Sequence, residues 1–201
     1  MMYDYLKNLR DESNFMPAKI LDIGAWNGFW TSNVKAIWPE ANYTCIEAGQ
    51  KHEQKLKRIT SDYHIAVLGD SNREIKMHLI EISKGNKKKI TYTKGSSVFG
   101  VYKNYELRQM QTLDELVGSD AQFDLIKQDV QGAEIMVMQG APEIFKRAKY
   151  VIQEVNLYKD ENFPDMPYEE IMDSYMSTLG FSNSDTISKH EGFDQVDKIY
   201  Y

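Results

Sequence analysis

The feature that most constrains this chain is a short apolar run that ends in a glycine-bearing loop, Asp22-Ile23-Gly24-Ala25-Trp26-Asn27-Gly28. The apolar pair Ile20-Leu21 precedes the loop, and the segment Tyr43-Thr44-Cys45-Ile46-Glu47 follows it. A buried strand, a glycine turn that opens a helix and a second strand that ends in an acid are typical of a doubly wound α/β nucleoside-binding domain. Because a carboxylate offers two acceptor oxygens, Glu47 suits the two hydroxyl donors of a ribose.

The spacing of the glycines argues against a dinucleotide. In the dinucleotide loop Gly-x-Gly-x-x-Gly, the second glycine lets the backbone approach a pyrophosphate, and the third lets helix and strand pack closely. Counted from Gly24, these two places hold Trp26 and Phe29. Their rings would keep a pyrophosphate away, so a nicotinamide-dependent sugar enzyme is disfavoured.

Composition is that of one globular domain. The chain has 201 residues, of which 42% are hydrophobic, and we expect a single domain over residues 1–201. A net charge of −6 argues against nucleic acid as a partner. The single cysteine, Cys45, excludes an internal disulfide, and no apolar run is long enough to span a membrane. Because Met1 to Asn14 is charged rather than signal-like, we expect a cytoplasmic protein.

Strand-like and helix-like segments alternate along the chain. This order predicts an α/β, doubly wound, mainly parallel seven-stranded Rossmann-like sheet with helices on both faces. Strands are expected near residues 19–23, 43–47, 63–68, 123–128 and 150–155, with a closing pair near Phe181 and residues 196–201 and a hairpin at residues 73–82 and 88–93. Helices are expected near residues 3–12, 29–38, 50–59, 112–117, 133–147 and 168–179, the fifth of them broken at Gly140 and Pro142.

A second dense motif runs from Phe123 to Glu134, with the sequence Phe-Asp-Leu-Ile-Lys-Gln-Asp-Val-Gln-Gly-Ala-Glu. It places Lys127, Asp129 and Glu134 around the end of a strand and the start of the following helix. Ligands of open α/β folds bind at this carboxyl edge of the sheet. We therefore expect these three residues to lie at the functional site.

The two motifs together resemble the FkbM-type methyltransferases. That family combines an Asp-x-Gly-Ala-Asn-x-Gly loop, a Thr-Leu-Asp segment and a Lys-x-Asp-x-Glu-Gly-Ala-Glu … Leu-x-Gly-Ala block, and this chain has all three in order, at residues 22–28, 112–114 and 127–141. The resemblance covers residues 19–156. It departs from the family pattern at Trp26, where the family has asparagine, and at Gln131, where the family has glutamate.

The resemblance implies a methyltransferase with S-adenosylmethionine as its cofactor. It further implies O-methylation of a hydroxyl on a small molecule, with a sugar or polysaccharide as the acceptor. The residues expected to hold the cofactor are Asp22, Gly24, Ala25, Trp26, Asn27, Gly28, Glu47, Ala48, Leu68 and Asp129. The alternatives are an N- or C-directed methyltransferase and a catalytically silent cofactor-binding scaffold.

Four residues are candidates for the catalytic chemistry. Asp129 is the first choice for the base or for the residue that orients the acceptor, and its structural alternative is a helix cap. Glu134 lies in a first helical turn, where the helix dipole favours an acid in any case. Lys127 would orient Asp129 or form a salt bridge, and Glu154, at the end of the next predicted strand, would line the acceptor site.

A magnesium site is a second possible mechanism. Asp129, Glu154 and Asn156 are oxygen donors at two neighbouring strand ends, and a metal there would lower the pKa of the acceptor hydroxyl. The resemblance implies no metal. No paired spacing is seen among the four histidines, which are His52, His64, His78 and His190, so we expect no metal ion.

Acceptor choice is expected to depend on loops 93–108 and 156–168, through Tyr102, Tyr105, Tyr158 and Phe163.

Overall fold

The computed structural model describes residues 1–83, 89–97, 104–159 and 166–201. Its strands are β1 (Lys19–Ile23), β2 (Asn42–Glu47), β3 (Asp62–Ile65), β4 (Val67–Leu68), β5 (Arg73–Ser83), β6 (Lys89–Ser97), β7 (Tyr105–Gln111), β8 (Leu125–Gln128), β9 (Tyr150–Asn156), β10 (Ser184–Lys189) and β11 (Gln195–Tyr200). Its helices are α1 (Met2–Asp11), α2 (Phe29–Lys35), α3 (Glu53–Leu56), α4 (Leu113–Val117), α5 (Glu134–Gln139), α6 (Pro142–Lys146) and α7 (Glu169–Thr178), with a 3₁₀ turn at Gln50–His52. Within these described ranges, no helix is long and apolar enough to cross a membrane.

The main sheet has seven strands in the order β10-β11-β9-β8-β1-β2-β3. The five strands from β9 to β3 run parallel, whereas β11 pairs antiparallel with both β9 and β10. Ile23 lies beside Ile46 on one side and beside Gln128 on the other, so β1, β2 and β8 end together. The predicted mainly parallel, seven-stranded sheet is confirmed, and its carboxyl edge gathers the loops that follow these strands.

The core lies on both faces of this sheet because successive side chains of a strand point to opposite sides. Leu21 and Ile126 point to the face covered by α5, α6 and α7. Ile20 and Leu125 point to the other face, where α1 and α2 contribute Leu6, Trp30 and Val34. The expectation of helices on both faces is therefore also confirmed.

A second sheet has the order β4-β7-β5-β6. Its β5 and β6 pair antiparallel and confirm the predicted hairpin, whereas the addition of β7 and β4 to this hairpin was not predicted. The expected strand over residues 63–68 is interrupted at Ala66, so that β3 joins the main sheet and β4 joins the second sheet. The expectation of a loop over residues 93–108 is wrong where β6 continues to Ser97 and where β7 begins at Tyr105. Here β7 pairs with β5 along its length, a partner that the local sequence does not specify.

Smaller differences concern the helices and some of the residues named from the sequence. The expected helix over residues 29–38 ends at Lys35, and the one over residues 50–59 is a 3₁₀ turn followed by four helical residues. The predicted break at Gly140 and Pro142 is confirmed, since α5 ends just before it and α6 begins within it. Tyr102, Phe163 and the hairpin residues 84–88 lie outside the described residues.

Candidate active site

A cavity of about 570 Å³ opens at the carboxyl edge of the main sheet. Of the thirteen residues proposed from the sequence for cofactor binding or catalysis, eight line it: Gly24, Ala25, Trp26, Glu47, Ala48, Leu68, Lys127 and Asp129. Five others lie outside its wall: Asp22, Asn27, Gly28, Glu134 and Glu154. The two motifs, which begin about 100 residues apart in the chain, therefore both contribute to the wall of one cavity.

The loop after β1 is pressed against the loop after β8. Gly24 has a φ of +76°, and a Cβ at this position would overlap the carbonyl oxygen of Asp129. The backbone N–H groups of Gly24 and Ala25 both donate to the carbonyl oxygen of Ile46, at 2.9 and 3.0 Å. Only glycine suits this position, because it combines a left-handed backbone with a close approach of two chains.

Glu47 organises the glycine loop as well as facing the cavity. One carboxylate oxygen accepts the backbone N–H of Trp26 at 2.8 Å, and the other accepts that of Gly49 at 2.7 Å. Burial raises the pKa of Glu47, and the two N–H donors oppose this rise. Because each carboxylate oxygen has two lone pairs, both oxygens can still accept a hydrogen bond from a hydroxyl group on the cavity side.

The rings that the sequence places in the glycine loop lie on the cavity wall. Trp26 has a φ of +49°, a backbone conformation that is uncommon outside glycine, and its bond to Glu47 holds it there. Its ring packs edge-on against His52, with the ring centroids 5.9 Å apart. Phe29 also borders the cavity and is 62% exposed. The two bulky rings that argue against a pyrophosphate, Trp26 and Phe29, therefore lie at the cavity.

Lys127 is a buried cation held between two carboxylates. Its ammonium group lies 3.6 Å from a carboxylate oxygen of Asp22 and 3.4 Å from one of Asp129. Burial alone would lower the pKa of Lys127, but the charges of Asp129 and Asp22 outweigh burial and raise it. Asp22 is buried, and its carboxylate also accepts a hydrogen bond from the hydroxyl of Thr31 at 2.6 Å. Its contacts therefore hold the loop and α2 in place.

Asp129 and Glu154 are joined by the side chain of Gln131. The amide nitrogen of Gln131 donates to Asp129 at 2.7 Å and to Glu154 at 2.8 Å. Burial, with the charge of Asp129 and a hydrogen bond to it, raises the pKa of Glu154 to about 9. Burial would also raise the pKa of Asp129, but the charge of Lys127 and the hydrogen bonds from Glu154, Gln131 and Lys127 together outweigh burial and lower that pKa. At neutral pH the pair therefore holds its proton on Glu154, and Asp129 is ionised.

The position of Gln131 explains the departure from the family pattern. A glutamate at this position would bring a third carboxylate against Asp129 and Glu154, whereas the amide donates a hydrogen bond to each of them. Gln131 has a φ of +56°, which turns the chain after Asp129 toward the cavity. The substitution therefore supplies a neutral link between the two acids.

Two polar residues of the site were missed from the sequence. His190 and Asp197 both line the cavity, and the Nε2 atom of His190 lies 3.0 Å from a carboxylate oxygen of Asp197. The Nδ1 atom of the same ring lies 3.5 Å from Glu154. What brings these two residues to the site is the antiparallel pairing of β11 with β9, which sets Asp197 opposite Glu154. This pairing cannot be inferred from the local sequence, because it requires the order of the strands in the sheet.

The contacts of Glu134 support its structural role. One of its carboxylate oxygens accepts the backbone N–H groups of Val130 and Gly132, at 3.0 and 3.2 Å. The side chain is buried beneath this turn, and burial raises its pKa to about 7. Glu134 therefore shapes the loop that carries Asp129.

The three donors considered for magnesium are engaged in other contacts. The amide oxygen of Asn156 accepts a hydrogen bond from Gln195 at 2.9 Å, and its amide nitrogen donates to the carbonyl oxygen of Pro167. Glu154 is protonated at neutral pH, and Asp129 is bound to Gln131 and Lys127. In the part of the chain that the structure describes, no group of three or more histidine, cysteine or acidic side chains is arranged to hold a metal ion.

The protonation of Glu154 has a consequence for stability that Glu154→Gln tests. The folded-state pKa of about 9 lies above an unfolded value of about 4.3, so the folded protein holds the extra proton between these values. The free energy of unfolding of the wild type therefore falls as pH rises through this window. The neutral amide lacks this titration, so the variant should gain stability relative to the wild type from about pH 5 to pH 9.

Urea unfolding across this pH range measures the difference. Glu53→Gln is the matched control, because Glu53 is a surface carboxyl whose pKa is lowered by Lys57. It should show no pH-dependent gain above pH 5. A difference between Glu154→Gln and wild type that stays constant with pH would mean that Glu154 is ionised in the folded protein.

Comparisons with known proteins agree with the fold and with the two motifs. The model of the methyltransferase FkbM domain matches residues 22–182. No curated protein matches the chain. Among solved structures, a methyltransferase FkbM from Methylobacillus flagellatus KT has a TM-score of 0.61 at 13% identity, over 98% of this chain and 48% of that one.

Two further structures show the same fold. EvdMO1 has a TM-score of 0.54 at 8% identity, over 98% of this chain and 40% of that one. The O-methyltransferase TomG from Streptomyces achromogenes, involved in tomaymycin synthesis and solved in complex with SAM, has a TM-score of 0.52 at 12% identity, over 98% of this chain and 77% of that one. The chain thus spans about half the length of the Methylobacillus protein and two fifths of EvdMO1. By its domain match over residues 22–182, the chain belongs to the FkbM methyltransferase family.

Proposed function

We propose that this protein transfers a methyl group from S-adenosylmethionine to a hydroxyl group of a small molecule, most suitably a sugar or a polysaccharide. The observation that carries the proposal is the arrangement of one cavity. The Gly24 loop and Glu47 border it on one side, and the ionised Asp129 with the His190–Asp197 pair borders it on the other. We treat residues 1–201 as one methyltransferase domain, because β4 and β5 of the second sheet also line this cavity.

The residues of the β1 and β2 edge fit the cofactor. Glu47 would accept the ribose hydroxyls, and the apolar Ala48 and Leu68 would contact the adenine. Gly24 lets the loop after β1 pack directly against the backbone of Asp129, and these two loops would hold the amino-acid portion. When bound, S-adenosylmethionine supplies an activated methyl group on a positively charged sulfur. The protein then has to hold the acceptor oxygen in line with that methyl group and exclude water.

Asp129 is suited to orienting the acceptor. It is about one third exposed, it lines the cavity, and its lowered pKa keeps it ionised. An ionised carboxylate accepts hydrogen bonds from hydroxyl groups but holds a proton weakly. Of the two roles expected from the sequence, base or orienting residue, these properties favour the second. Lys127 donates a hydrogen bond to one carboxylate oxygen of Asp129, and Gln131 donates to the other.

A neutral polyhydroxylated acceptor fits the remaining wall. Tyr3, Trp26 and Phe29 provide ring faces on which a sugar ring can stack, while Asp129 and Asp197 provide acceptors for its hydroxyls. The two carboxylates would repel an anionic acceptor. N- or C-directed transfer and a silent scaffold are the alternatives that the experiment below separates.

The test is a methyl-transfer screen with S-adenosylhomocysteine release as the readout. The acceptors are neutral methyl glycosides, polysaccharide fragments, amino sugars and catechol. We expect turnover with glycosides and a mass increase at one hydroxyl. Transfer to nitrogen or carbon only would favour the alternative methyltransferase, and binding of S-adenosylmethionine without transfer to any acceptor would favour the scaffold.

The cofactor assignment predicts that Glu47→Ala weakens binding of S-adenosylmethionine. Hydrogen bonds to a charged group are worth about 1.5–3 kcal/mol, which corresponds to a Kd raised about 10- to 100-fold. Titration calorimetry measures this change. Glu53→Ala, which removes a surface carboxylate beside Lys57, should bind like the wild type. Equal affinity of Glu47→Ala and wild type would remove Glu47 from the ribose site.

The acceptor assignment predicts that Asp129→Asn lowers kcat. Loss of a charged acceptor should cost about 10- to 100-fold, with the affinity for S-adenosylmethionine little changed. The matched control is Asp124→Asn at the other end of β8, where the carboxylate accepts the backbone N–H groups of Ala18 and Lys19. That variant should lose stability and keep its kcat. If Asp129→Asn behaves in the same way as the control, Asp129 is structural.

The engaged state of the magnesium donors predicts that turnover survives exhaustive chelation. The amide oxygen of Asn156 is bonded to Gln195, and the proton on Glu154 must leave before it can bind a cation. The measurement compares kcat with and without EDTA, after dialysis against chelator. Activity that is lost on chelation and restored only by Mg²⁺ would show that a metal acts on the acceptor.

A further inference from the structure

We propose that His190 is the catalytic base of the methyl transfer, and that Asp197 orients it. The inference rests on the proposed function, since it assigns the destination of the proton that leaves the acceptor hydroxyl. The sequence motifs contain neither residue. Both come from the strand pair β10–β11 at the end of the chain.

The position of His190 gives its ring access to the acceptor side of the cavity. The residue follows β10 directly, and its side chain is about one third exposed while it lines the cavity wall. Its backbone N–H donates to the carbonyl oxygen of Gln195 at 3.0 Å, and its own carbonyl oxygen accepts the N–H of Phe193 at 3.1 Å. These two bonds close the turn between β10 and β11 and fix the place from which the ring projects.

Asp197 determines which ring nitrogen can act as a base. Its buried carboxylate lies 3.0 Å from Nε2, so an ionised Asp197 accepts the Nε2–H and leaves Nδ1 unprotonated. A histidine with one nitrogen bound by a buried carboxylate and a basic second nitrogen is a recurring catalytic arrangement. Nδ1 of His190 lies 3.5 Å from the Glu154 carboxyl but makes no hydrogen bond to it among the described residues, which leaves its lone pair for a hydroxyl in the cavity. Asp197 is itself held in register by β9, where it lies opposite Glu154.

The surrounding charges favour His190 over the acids as the proton acceptor. Asp129 has a lowered pKa because of Lys127, and Glu154 already carries a proton. Histidine is the side chain that most often serves as a general base, because its neutral ring carries one basic nitrogen. The titratable groups in contact with the ring are Asp197 from β11 and Glu154 from β9. Tyr3 from α1, Lys127 from β8, Asp129 after β8 and Lys189 at the end of β10 line the same cavity.

The step balances without any further reactant. The acceptor oxygen forms a bond to the methyl carbon, the bond between that carbon and sulfur breaks, and its electron pair stays on the sulfur of S-adenosylhomocysteine. The hydroxyl proton moves to Nδ1 of His190. Asp129 is then available to accept a hydrogen bond from a neighbouring hydroxyl. The acceptor that uses both groups is a vicinal diol, of which one hydroxyl is methylated.

The kinetic test uses His190→Gln with a methyl glycoside from the screen. Glutamine can still donate to Asp197, but it has no basic nitrogen. We expect kcat to fall about 10²-fold or more, with unchanged affinity for S-adenosylmethionine. The wild-type loss of kcat toward acid pH should be absent in His190→Gln and retained in Asp129→Asn, and free imidazole should partly restore His190→Ala.

The matched control is His64→Gln. His64 also lies beside an aspartate, with Nε2 3.4 Å from Asp62, but on β3 and outside the cavity wall. It should keep the wild-type kcat and pH profile. If His190→Gln also keeps both, or if imidazole fails to restore His190→Ala while that variant remains folded and binds S-adenosylmethionine, His190 is not the base.

A second measurement needs no acceptor and so separates this inference from the proposed function. ¹⁵N NMR of the histidine rings should find the proton of neutral His190 on Nε2 in the wild type and a mixture of tautomers in Asp197→Asn. A proton on Nδ1 in the wild type would overturn the inference whatever the screen finds. Absence of methyl transfer by a protein with the expected tautomer would instead count against the proposed function.

Discussion

The buried ammonium group of Lys127 is the interaction on which the rest of the site depends. It lies between Asp22 at the end of β1 and Asp129 after β8, 3.6 and 3.4 Å from their carboxylates. A charge removed from water is costly unless it is paired, so this cation requires both acids and both strand ends to stay in place. The loop after β1 and the loop after β8 are thereby held against each other, and Gly24 allows the close approach of their backbones.

The same cation gives two neighbouring acids, Asp129 and Glu154, different pKa values. Asp129 forms an ion pair with Lys127 and stays ionised. Glu154 is more buried and has no ion pair with Lys127, and it keeps a proton to about pH 9. Gln131 joins the two without adding charge. Different environments thus give two carboxyl groups different tasks within one network. Beyond Glu154 the network continues to His190 and Asp197, which connects the first motif of the chain with its final strand pair.

Much of the fold and half of the site follow from local sequence. The run of residues 19–28 specifies a buried strand, a turn and a helix start within ten residues, and Glu47 is identified by its place at the end of the next strand. The block at residues 127–141 similarly predicts the loop around Asp129. In each case the residues that determine the local structure are neighbours in the chain, so spacing alone carries the information.

The parts that were not predicted depend on distant pairing. β7 is a strand because β5 lies beside it, and its own sequence, Tyr-Glu-Leu-Arg-Gln-Met-Gln, is polar enough to suit a loop. His190 joins the site only because β11 returns antiparallel along β9. For Glu134 the helix start was clear, but the bonds to Val130 and Gly132 that define its role depend on the path of a turn.

The most direct test of the account is a crystal structure of the protein with S-adenosylhomocysteine and a methyl glycoside. The central claim is that one cavity separates a cofactor side, at Gly24 and Glu47, from an acceptor side, at Asp129 and His190. We expect the ribose hydroxyls on Glu47 and the thioether sulfur facing an acceptor hydroxyl that lies within hydrogen-bond distance of His190. A nucleoside bound away from Glu47, or an acceptor hydroxyl that contacts neither Asp129 nor His190, would contradict it.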